Sequence, residues 1–537
     1  MRVKIPELPL PLEAAADPMP ALHALLKKSG LGEGDLTSVR ILQRALDARK
    51  RPPRFVYTVT ADLHDKVAGK LVRSRKAVPY TPAERYRYRI AKAPDGPRPV
   101  VVGAGPAGLF AALTLAEAGL RPIVLERGHA VEERTRAVSR LYQRGELDPD
   151  SNVCYGEGGA GTYSDGKLYT RVGDARVDRV LELLVERGAD PLIRINNRPH
   201  LGTDKLVRLL RNIRAHLTEL GTTFRFDTPL EDFDIRDGAL AGLKLRSGEK
   251  LDVSRAVLAT GHSAREIWQK LLAHGLPLEC RPFAVGFRVE HPQALIDDVR
   301  YGQPSERGYL PAADYRLTYN EEDRGVWSFC MCPGGVVVTT PTHANELCIN
   351  GMSHASRSGK YANSALVVSV GPADYAAAGH EGVFAGVEFQ LDAERKAYAA
   401  GGGDFVAPAS RVADFVAGTV SADIPATSYR RGLQTADLTT LYPTPVIEAL
   451  KRAMQRFNRS LPGFITNEAK LIGVETRTSS PVRVPRDDTD MQAIGARGLY
   501  PAGEGMGYGG GIVSAAVDGI RAAEAVLVHS GAAREVV

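Results

Sequence analysis

The chain has 537 residues, of which 44% are hydrophobic and 25% charged, and this composition is typical of a globular protein with a large core. It excludes bulk disorder, and the length predicts about three or four domains. The net charge of +6 is uneven, because residues 1–97 hold 19 Lys and Arg against 10 Asp and Glu, while the remainder holds 50 against 53. The basic residues are scattered through strand-like sequence, so we expect a solvated face and no nucleic-acid partner.

The cysteines and the N-terminus indicate the compartment. Residues 1–20 break any apolar run with proline and glutamate, so they do not form a secretory signal, and no stretch predicts a membrane span. We therefore expect a cytoplasmic protein with no membrane contact. The cysteines are few, odd in number and without paired spacing, which predicts neither a disulfide framework nor a metal site. They are Cys154, Cys280, Cys330, Cys332 and Cys348.

Residues 1–96 are predicted to form a small α+β domain of their own. A linker rich in proline, residues 91–99, separates this domain from the next apolar strand. The expected elements are a helix over 21–29 and strands near 1–5, 39–45, 55–60 and 86–90, the last an alternation of Arg and Tyr.

Residues 100–126 contain a complete dinucleotide-binding unit. An apolar strand leads into Gly103-x-Gly105-x-x-Gly108, then a helix, a second strand and Glu126. Gly103 allows the tight turn, Gly105 allows the backbone to approach a pyrophosphate, and Gly108 allows the helix to pack closely on the sheet. The helix N-terminus then faces the phosphates, and the carboxylate of Glu126 is placed to accept hydrogen bonds from an adenosine ribose.

The rest of the chain predicts a discontinuous dinucleotide domain. Helical sequence at 205–220 precedes strands that end at 259, and a strand at 499–501 followed by a helix at 512–528 completes the domain at the C-terminus. Between these parts lie many strand-like segments. The predicted domains are residues 1–96, the dinucleotide domain in two parts at 97–274 and 471–537, and an inserted α+β substrate domain at 275–470.

Three further glycine-containing segments favour a flavin over a nicotinamide as the resident cofactor. Residues 154–168 are too rich in glycine for a helix or strand, so close backbone approach to a ligand is expected. Residues 259–261 end a strand at the sheet edge where ligands bind. Residues 499–518 open a helix whose N-terminus can stabilise negative charge on a reduced flavin, and Glu504 suits the sugar-alcohol chain of FAD.

Nearly the whole chain resembles a bacterial family of FAD-dependent dehydrogenases, or NAD(P)/FAD-dependent oxidoreductases, with no settled substrate. The resemblance implies an α/β protein with a Rossmann-type, glutathione-reductase-like FAD domain and a ferredoxin-like N-terminal domain. It also implies that Leu230 presents its backbone to the adenine. The motifs that carry it are GEGGAGTYSDGKL (156–168), ATGHSAR (259–265), GFRVEHP (286–292), FCMCPGG (329–335), NGMS (350–353), ETRTSSPVR (475–483) and YPAGEGMGYGGGIVSAAVDG (500–519).

The predicted cofactor is non-covalent FAD. Only one full G-x-G-x-x-G opens a strand-to-helix turn, so a nicotinamide donor would bind only transiently. The predicted FAD-binding residues are Gly103, Gly105, Pro106, Ala107, Gly108, Glu126, Arg127, Gly158, Gly159, Ala160, Gly161, Thr162, Ser164, Asp165, Lys167, Leu230, Thr260, Gly261, Gly503, Glu504, Gly510, Gly511 and Ile512.

Catalytic side chains are harder to identify, because the flavin itself carries the hydride chemistry. His262 is a candidate proton donor, although a hydrogen-bonded structural histidine is favoured. Cys330 and Cys332 are a candidate redox pair, with packing against the flavin pocket as the default interpretation. Trp327 and Phe329 are candidates for the pocket wall, in a W-x-F-x3-P string somewhat similar to a motif of geranylgeranyl-reductase-type flavoproteins, or for the strand core.

Each charged residue near the flavin segments has two possible interpretations, a ligand contact or a surface turn. Asp165 and Lys167 would orient flavin or substrate, or belong to a surface turn. Arg477 and Arg483 would hold an anionic substrate or the flavin phosphates, since a guanidinium binds oxyanions in a bidentate manner, or lie in exposed turns.

Three functions compete on this sequence. An FAD-dependent dehydrogenase or reductase acting on a small molecule is favoured. An aromatic hydroxylase is disfavoured because its usual glycine-aspartate segments are replaced here by ATGHS and AGEGMGYG. A flavoprotein that binds RNA or a protein partner through its basic N-terminal domain is also disfavoured, because no aromatic-plus-basic signature accompanies the charge.

Overall fold

The computed structural model describes residues 1–49, 51–82, 86, 88–90, 96–302, 310–321 and 324–536. The first 80 residues form a four-stranded antiparallel sheet in which the first strand lies between the third and the fourth. This strand order, with helices crossing one face, is the ferredoxin-like arrangement that was expected. The strands are Arg2–Leu10, Arg40–Asp47, Arg54–Asp62 and Val78–Pro79, and the helices are Pro18–Lys28, Glu33–Leu36 and Asp65–Arg73, with a 3₁₀ turn at Leu12–Ala15.

The predicted strand at 86–90 does not belong to this sheet. Tyr88–Ile90 is a strand, but it pairs with Ala533–Val536 near the C-terminus, and the fourth position in the N-terminal sheet is taken by Val78–Pro79. The Arg/Tyr alternation correctly indicated a strand, but alternation does not identify a partner more than 400 residues away. Residues 91–95 of the predicted linker lie outside the described residues.

The second unit is a five-stranded parallel sheet covered by helices on both faces. Its strands are short, and all but the edge strand Thr223–Arg225 are apolar and mostly buried, which is the pattern expected of a parallel sheet inside an α/β domain. In spatial order they are Leu499–Pro501, Ala256–Leu258, Val100–Val102, Ile123–Leu125 and Thr223–Arg225. The helices are Pro106–Glu117, Val131–Arg144, Arg176–Glu186, Thr203–Glu219, Arg265–Ala273 and Ile512–His529, with 3₁₀ turns at Ala160–Tyr163, Pro191–Arg194 and Glu504–Met506.

This parallel sheet confirms the discontinuous Rossmann-type fold that the sequence predicts. Its edge strand and the helix Ile512–His529 come from the C-terminus, and that helix packs against Pro106–Glu117 at the centre. A three-stranded antiparallel sheet extends the domain beside it, made of Leu230–Arg236, Ala239–Leu245 and Lys250–Asp252.

The region between the two parts of the parallel sheet forms an eight-stranded, largely antiparallel sheet. The strand Lys470–Glu475 is paired inside it, so the inserted unit extends beyond the predicted end at residue 470. The strands are Phe283–Pro292, Thr318–Glu321, Arg324–Thr339, Ile349–Met352, Tyr361–Val370, Ala407–Arg411, Leu433–Thr435 and Lys470–Glu475. The helices are Gln293–Tyr301, Pro372–Ala377, Ala385–Ala400, Val412–Ala417 and Thr444–Ser460, with a 3₁₀ turn at Leu438–Leu441.

The inserted sheet stands over the carboxyl edge of the parallel sheet. A two-stranded ribbon, Glu279–Cys280 with Val482–Arg483, lies at the junction where the chain enters and leaves the insertion. One face of the large sheet packs on Thr444–Ser460 to form the main core of this unit. The other face is turned toward the edge where the parallel strands end, and the candidate site lies between them.

Candidate functional site

A cavity of about 1560 Å³, measured to its open mouth, lies where the parallel strands end. The residues that end these strands or directly follow them, Val102, Leu125, Ala259 and Ala502, all line it. In open α/β sheets this carboxyl edge is the position where ligands bind. The predicted cofactor residues that line the cavity are Gly103, Gly105, Pro106, Ala107, Glu126, Arg127, Gly159, Ala160, Gly161, Ser164, Asp165, Lys167, Leu230, Thr260, Gly261, Gly503, Glu504, Gly511 and Ile512.

The three glycines of the first turn have different roles. Gly103 has φ +103°, and a Cβ there would lie 2.3 Å from the carbonyl oxygen of Ala259. A Cβ on Gly108 would lie 1.8 Å from the carbonyl oxygen of Gly103, so this glycine sits behind the cavity wall and permits close packing of the helix. A Cβ on Gly105, by contrast, would meet nothing nearer than Gly159 at 3.8 Å. Gly105 therefore leaves open space in the cavity, as a pyrophosphate requires.

Glu126 ends the second parallel strand as a buried carboxylate at the cavity wall. Its oxygens accept hydrogen bonds from the backbone N–H groups of Ala104 at 2.7 Å, Gly156 at 2.9 Å and Gly128 at 3.0 Å. An ionised carboxylate has about four acceptor positions, so one remains for a ligand hydroxyl. Its geometry thus fits a ribose acceptor that also fastens two glycine-rich turns together.

The glycine-rich loop of residues 154–168 wraps around a buried arginine. The guanidinium of Arg134 donates to the carbonyl oxygens of Asn152, Val153, Gly156, Glu157 and Gly159 at 2.6 to 3.1 Å. Burial lowers the pKa of Arg134, and these five carbonyls replace the water it has lost. Sequence reasoning missed Arg134, because nothing in the pattern of the helix Val131–Arg144 distinguishes it from the solvated arginines around it.

Two predicted residues of this loop lie behind the cavity wall. Gly158 has φ +87° and donates its N–H to the carbonyl oxygen of Ala104 at 2.8 Å, linking the loop to the first glycine turn. The Thr162 hydroxyl faces inward to the carbonyl of Glu157 at 3.3 Å. Both residues shape the loop without lining the cavity, because their polar groups are engaged by protein partners.

The C-terminal segment supplies an acid and a helix N-terminus. Gly511 and Ile512 line the cavity where the helix Ile512–His529 begins. Burial, followed by the charge of nearby Cys330, raises the pKa of Glu504 to about 7. Gly510 lies behind Glu504, where a Cβ would be 3.5 Å from its Oε1, and does not itself line the cavity. The turn is held by Asp518, which accepts from Gly503 N–H at 2.8 Å and pairs with Arg486 at 2.6 Å.

The strand Arg324–Thr339 forms the opposite wall. Phe329, 40% exposed, and Cys330 line the cavity, together with Thr478. Trp327 does not line it; two residues upstream, it packs against Ala284, Ala365 and Val367. The predicted pair is therefore divided into a wall residue and a packing residue.

His262 lines the cavity beside the predicted flavin turn. Its Nδ1 lies 3.0 Å from the hydroxyl of Ser263. Burial, with the positive charges of Arg477 and Arg265, lowers the pKa of His262 to about 4, so the ring is neutral at pH 7. A neutral imidazole can hold a hydrogen bond to a ligand, but it is not a reservoir of a proton at that pH.

The predicted oxyanion-binding arginines are engaged elsewhere. Arg477 lines the cavity but forms a two-point ion pair with Glu394 at 2.6 and 2.9 Å. Arg483 lies outside the cavity and stacks over Tyr508 at 4.6 Å. The contacts of these two arginines therefore do not support the prediction that they bind an anionic substrate or the flavin phosphates.

Comparisons with known proteins follow the same division of the chain. A model of the "FAD-dependent protein, C-terminal domain-like" family matches residues 282–478, an "FAD binding domain" model matches 98–139, and a domain of unknown function matches 2–62. An uncharacterized protein of Clostridium beijerinckii is 40% identical over 519 residues, covering 94% of this chain and 95% of its own length. The cavity, turns and parallel sheet define a Rossmann-type flavoprotein that binds FAD. Within that class, the chain belongs to the family of FAD-dependent proteins that carry this C-terminal domain.

Solved structures are more distant. The glycerol-3-phosphate dehydrogenase of Bacillus halodurans in complex with FAD is 10% identical with a TM-score of 0.35, covering 83% of this chain and 67% of that one. A geranylgeranyl bacteriochlorophyll reductase-like protein of Thermoplasma acidophilum is 13% identical with a TM-score of 0.34, covering 81% and 79%. At these scores no activity is transferred to this chain. None of the helices within the described residues has the length and apolar character needed to cross a membrane.

Proposed function

We propose that this FAD-dependent oxidoreductase is a dehydrogenase or reductase that moves a hydride between its flavin and a small molecule bound in the same cavity. The observation that supports this proposal is that one cavity is lined by all four predicted flavin segments and, on its far side, by Phe329 and Cys330 of the inserted sheet and by Thr478, which follows the strand Lys470–Glu475.

Bound FAD supplies the hydride chemistry, and the chain's own residues bind and orient. Gly105 leaves space for the pyrophosphate, and Glu126 offers its remaining acceptor position to the ribose. Glu504 faces the cavity from the C-terminal turn, where it suits the sugar-alcohol chain. The N-terminus of the helix Ile512–His529 stabilises negative charge held near it.

The substrate side is apolar at its rim and polar at its base. Phe329 presents its ring to the cavity mouth. Below it, a small second pocket borders the main cavity and is lined by Asn350, His262 and Glu475. A substrate with an apolar body and one hydrogen-bonding end fits this distribution, with neutral His262 as a partner for that end.

The test is anaerobic reduction of the purified yellow protein. NADH, NADPH and a panel of small alcohols, amines and acids are mixed with it in turn, and bleaching of the flavin band identifies the donor. We expect a nicotinamide to act only as a transient donor, because the sequence contains a single strand-to-helix G-x-G-x-x-G turn, and FAD occupies it. A protein without FAD, or a flavin that no donor bleaches although dithionite does, would overturn the proposal.

A matched pair of variants tests the placement of the substrate. Phe329→Ala should retain FAD and lower the rate of reduction or reoxidation by the true substrate about tenfold or more, because reaction needs near-attack positioning. Trp327→Ala, on the same strand but outside the cavity, should leave that rate nearly unchanged. Equal rates for Phe329→Ala and the native protein would place the substrate elsewhere.

A further inference from the structure

The two cysteines of the cavity strand lie in an unusual piece of backbone. Cys330 has φ +45°, a left-handed conformation that non-glycine residues rarely adopt, at a point where the register with Tyr361–Val370 shifts. The shift lies between Phe329 and Cys332, so the strand bulges at the two cysteines. Such outliers persist where the surrounding structure enforces them, and they concentrate at functional sites.

The bulge gives the two thiols different surroundings and brings them together. Cys330 lines the cavity, whereas Cys332 is fully buried behind it. The Sγ of Cys332 lies 3.3 Å from the carbonyl oxygen of Cys330 and receives a hydrogen bond from Arg288 at 3.4 Å. The hydrogen bond with Cys330 and burial together raise the pKa of the Cys332 thiol.

Two cations are fixed on the backbone around this pair. The Lys167 ammonium donates to the carbonyl oxygen of Met331 at 2.5 Å, and the Arg288 guanidinium donates to that of Cys330 at 2.7 Å. These bonds enclose the bulge from both sides. The strand therefore holds Cys330 between a lysine and an arginine at the wall of the flavin cavity.

Charged side chains that pair with one another surround the two thiols. Lys167 and Arg357 pair with Asp165 at 3.2 and 2.5 Å, and Arg288 pairs with Glu475 at 2.9 Å. Glu504 also lines the cavity beside Cys330, so three cations and three carboxyl groups surround the two thiols.

The same surroundings favour ionisation of Cys330, the member of the pair that lines the cavity. The hydrogen bond from Cys332, with the charges of Lys167 and Arg288, lowers the pKa of Cys330, while burial and, to a lesser extent, Asp165 oppose the shift. Glu504 also faces Cys330, but burial raises the pKa of that carboxyl to about 7, which limits its negative charge. A thiolate beside a buried thiol is the arrangement of a reactive dithiol.

We propose that Cys330 and Cys332 form a redox-active dithiol that exchanges two electrons with the flavin bound in the same cavity. The proposal rests on the proposed function for the presence of a reducible flavin. In the reductive direction the reduced flavin anion gives up two electrons and one proton, and the Cys330–Cys332 S–S bond breaks. Cys330 then leaves as the thiolate and Cys332 takes the proton as the thiol, so atoms and charge balance.

The test counts electrons on the intact holoprotein. The protein is oxidised with diamide, freed of reagent and titrated anaerobically with dithionite. Flavin alone accepts two electrons, and flavin with a disulfide accepts four. We expect four in the native protein and in the control Cys280→Ser, whose sulfur is not part of the cavity wall, and two in Cys330→Ser and in Cys332→Ser. A native protein that takes up only two would overturn the proposal.

A second readout does not depend on the flavin. After diamide treatment, unfolding in iodoacetamide and mass analysis should show both Cys330 and Cys332 protected, and prior reduction should render both alkylated. Free Cys330 after diamide, or protection through a different partner, would overturn the dithiol. Loss of FAD or an irreducible flavin would instead count against the proposed function, while the mass result still decides the pair. Both measurements use the native chain, so a variant that fails to fold does not remove the test.

Discussion

The carboxylate of Glu126 accepts a hydrogen bond at 2.9 Å from the backbone N–H of Gly156, 30 residues later in the chain. The contact joins the end of a parallel strand to the glycine-rich loop that forms the adjacent wall of the cavity. Glu126, predicted only as a ribose acceptor, therefore also links two cofactor segments through hydrogen bonds.

Replacing Glu126 by Ala should weaken FAD binding by about 1–3 kcal/mol, the cost of removing a charged acceptor and leaving its donors unpaired. Three backbone N–H groups lose their partner at once, so the loop of residues 154–168 should also become more mobile. Titration of apoprotein with FAD gives the affinity, and hydrogen exchange at Gly156 reports the loop. Glu126→Gln keeps one acceptor oxygen and should fall between the two; native affinity in Glu126→Ala would contradict the assignment.

Gly103 and Gly105 should respond differently to an added side chain, because only Gly105 faces open space. Gly105→Val should yield a folded apoprotein that lacks flavin, because the nearest atom to its Cβ is 3.8 Å away and the side chain fills the pyrophosphate space. Gly103→Ala should unfold at a lower temperature, because its Cβ would lie 2.3 Å from the Ala259 oxygen at a φ of +103°. Flavin content and thermal unfolding of the apoproteins separate the two effects. A yellow Gly105→Val protein would remove the first turn from the cofactor site.

How well the sequence predicts this molecule depends on the range of each interaction. The turn at Gly103 and the acid at Glu126 follow local rules of strand, turn and helix, so they were predictable. The partner of Tyr88–Ile90 lies at Ala533–Val536, and no local pattern encodes such a distance. Arg134 was hidden for a similar reason: its burial depends on a loop that folds around it from later in the chain.

The wall strand shows a second limit. Strict alternation treats Trp327 and Phe329 alike, because residues two apart share a face of a strand. The structure separates them by distance from the cavity, and the bulge at Cys330 then breaks the alternation. A left-handed cysteine has no sequence signature, so the backbone conformation of Cys330 could not be predicted from the C-x-C spacing.

The N-terminal domain should be removable without loss of the cofactor. Every residue that lines the cavity lies between Val102 and Ala515, outside the ferredoxin-like sheet. The domain docks through hydrogen bonds such as Arg44 N–H to the Ile195 carbonyl at 2.7 Å, away from the cavity. A chain lacking residues 1–80, which retains the strand Tyr88–Ile90, should be soluble and yellow with native FAD affinity. A colourless or insoluble product would show that this domain supports the flavin fold.

Glu504 should make the stability of the apoprotein depend on pH. Burial raises its pKa in the folded state to about 7 from the usual 4.5 of a glutamate, so the folded state binds more protons than the unfolded state between these values. The unfolding free energy should therefore fall as the pH rises from about 4.5 and level off above 7, with Glu504 contributing about 2–3 kcal/mol of the decline.

Glu504→Gln isolates this contribution, because other buried acids such as Glu475, whose pKa burial also raises to about 7, remain in both proteins. The variant is neutral at every pH, so its stability should exceed that of the native apoprotein at pH 8 and match it near pH 4. Urea unfolding at a series of pH values measures both curves. Parallel curves would mean that Glu504 titrates at the same pH in the folded and unfolded protein. The surroundings of its carboxyl would then be more hydrated, or more positive, than its burial beside Cys330 indicates.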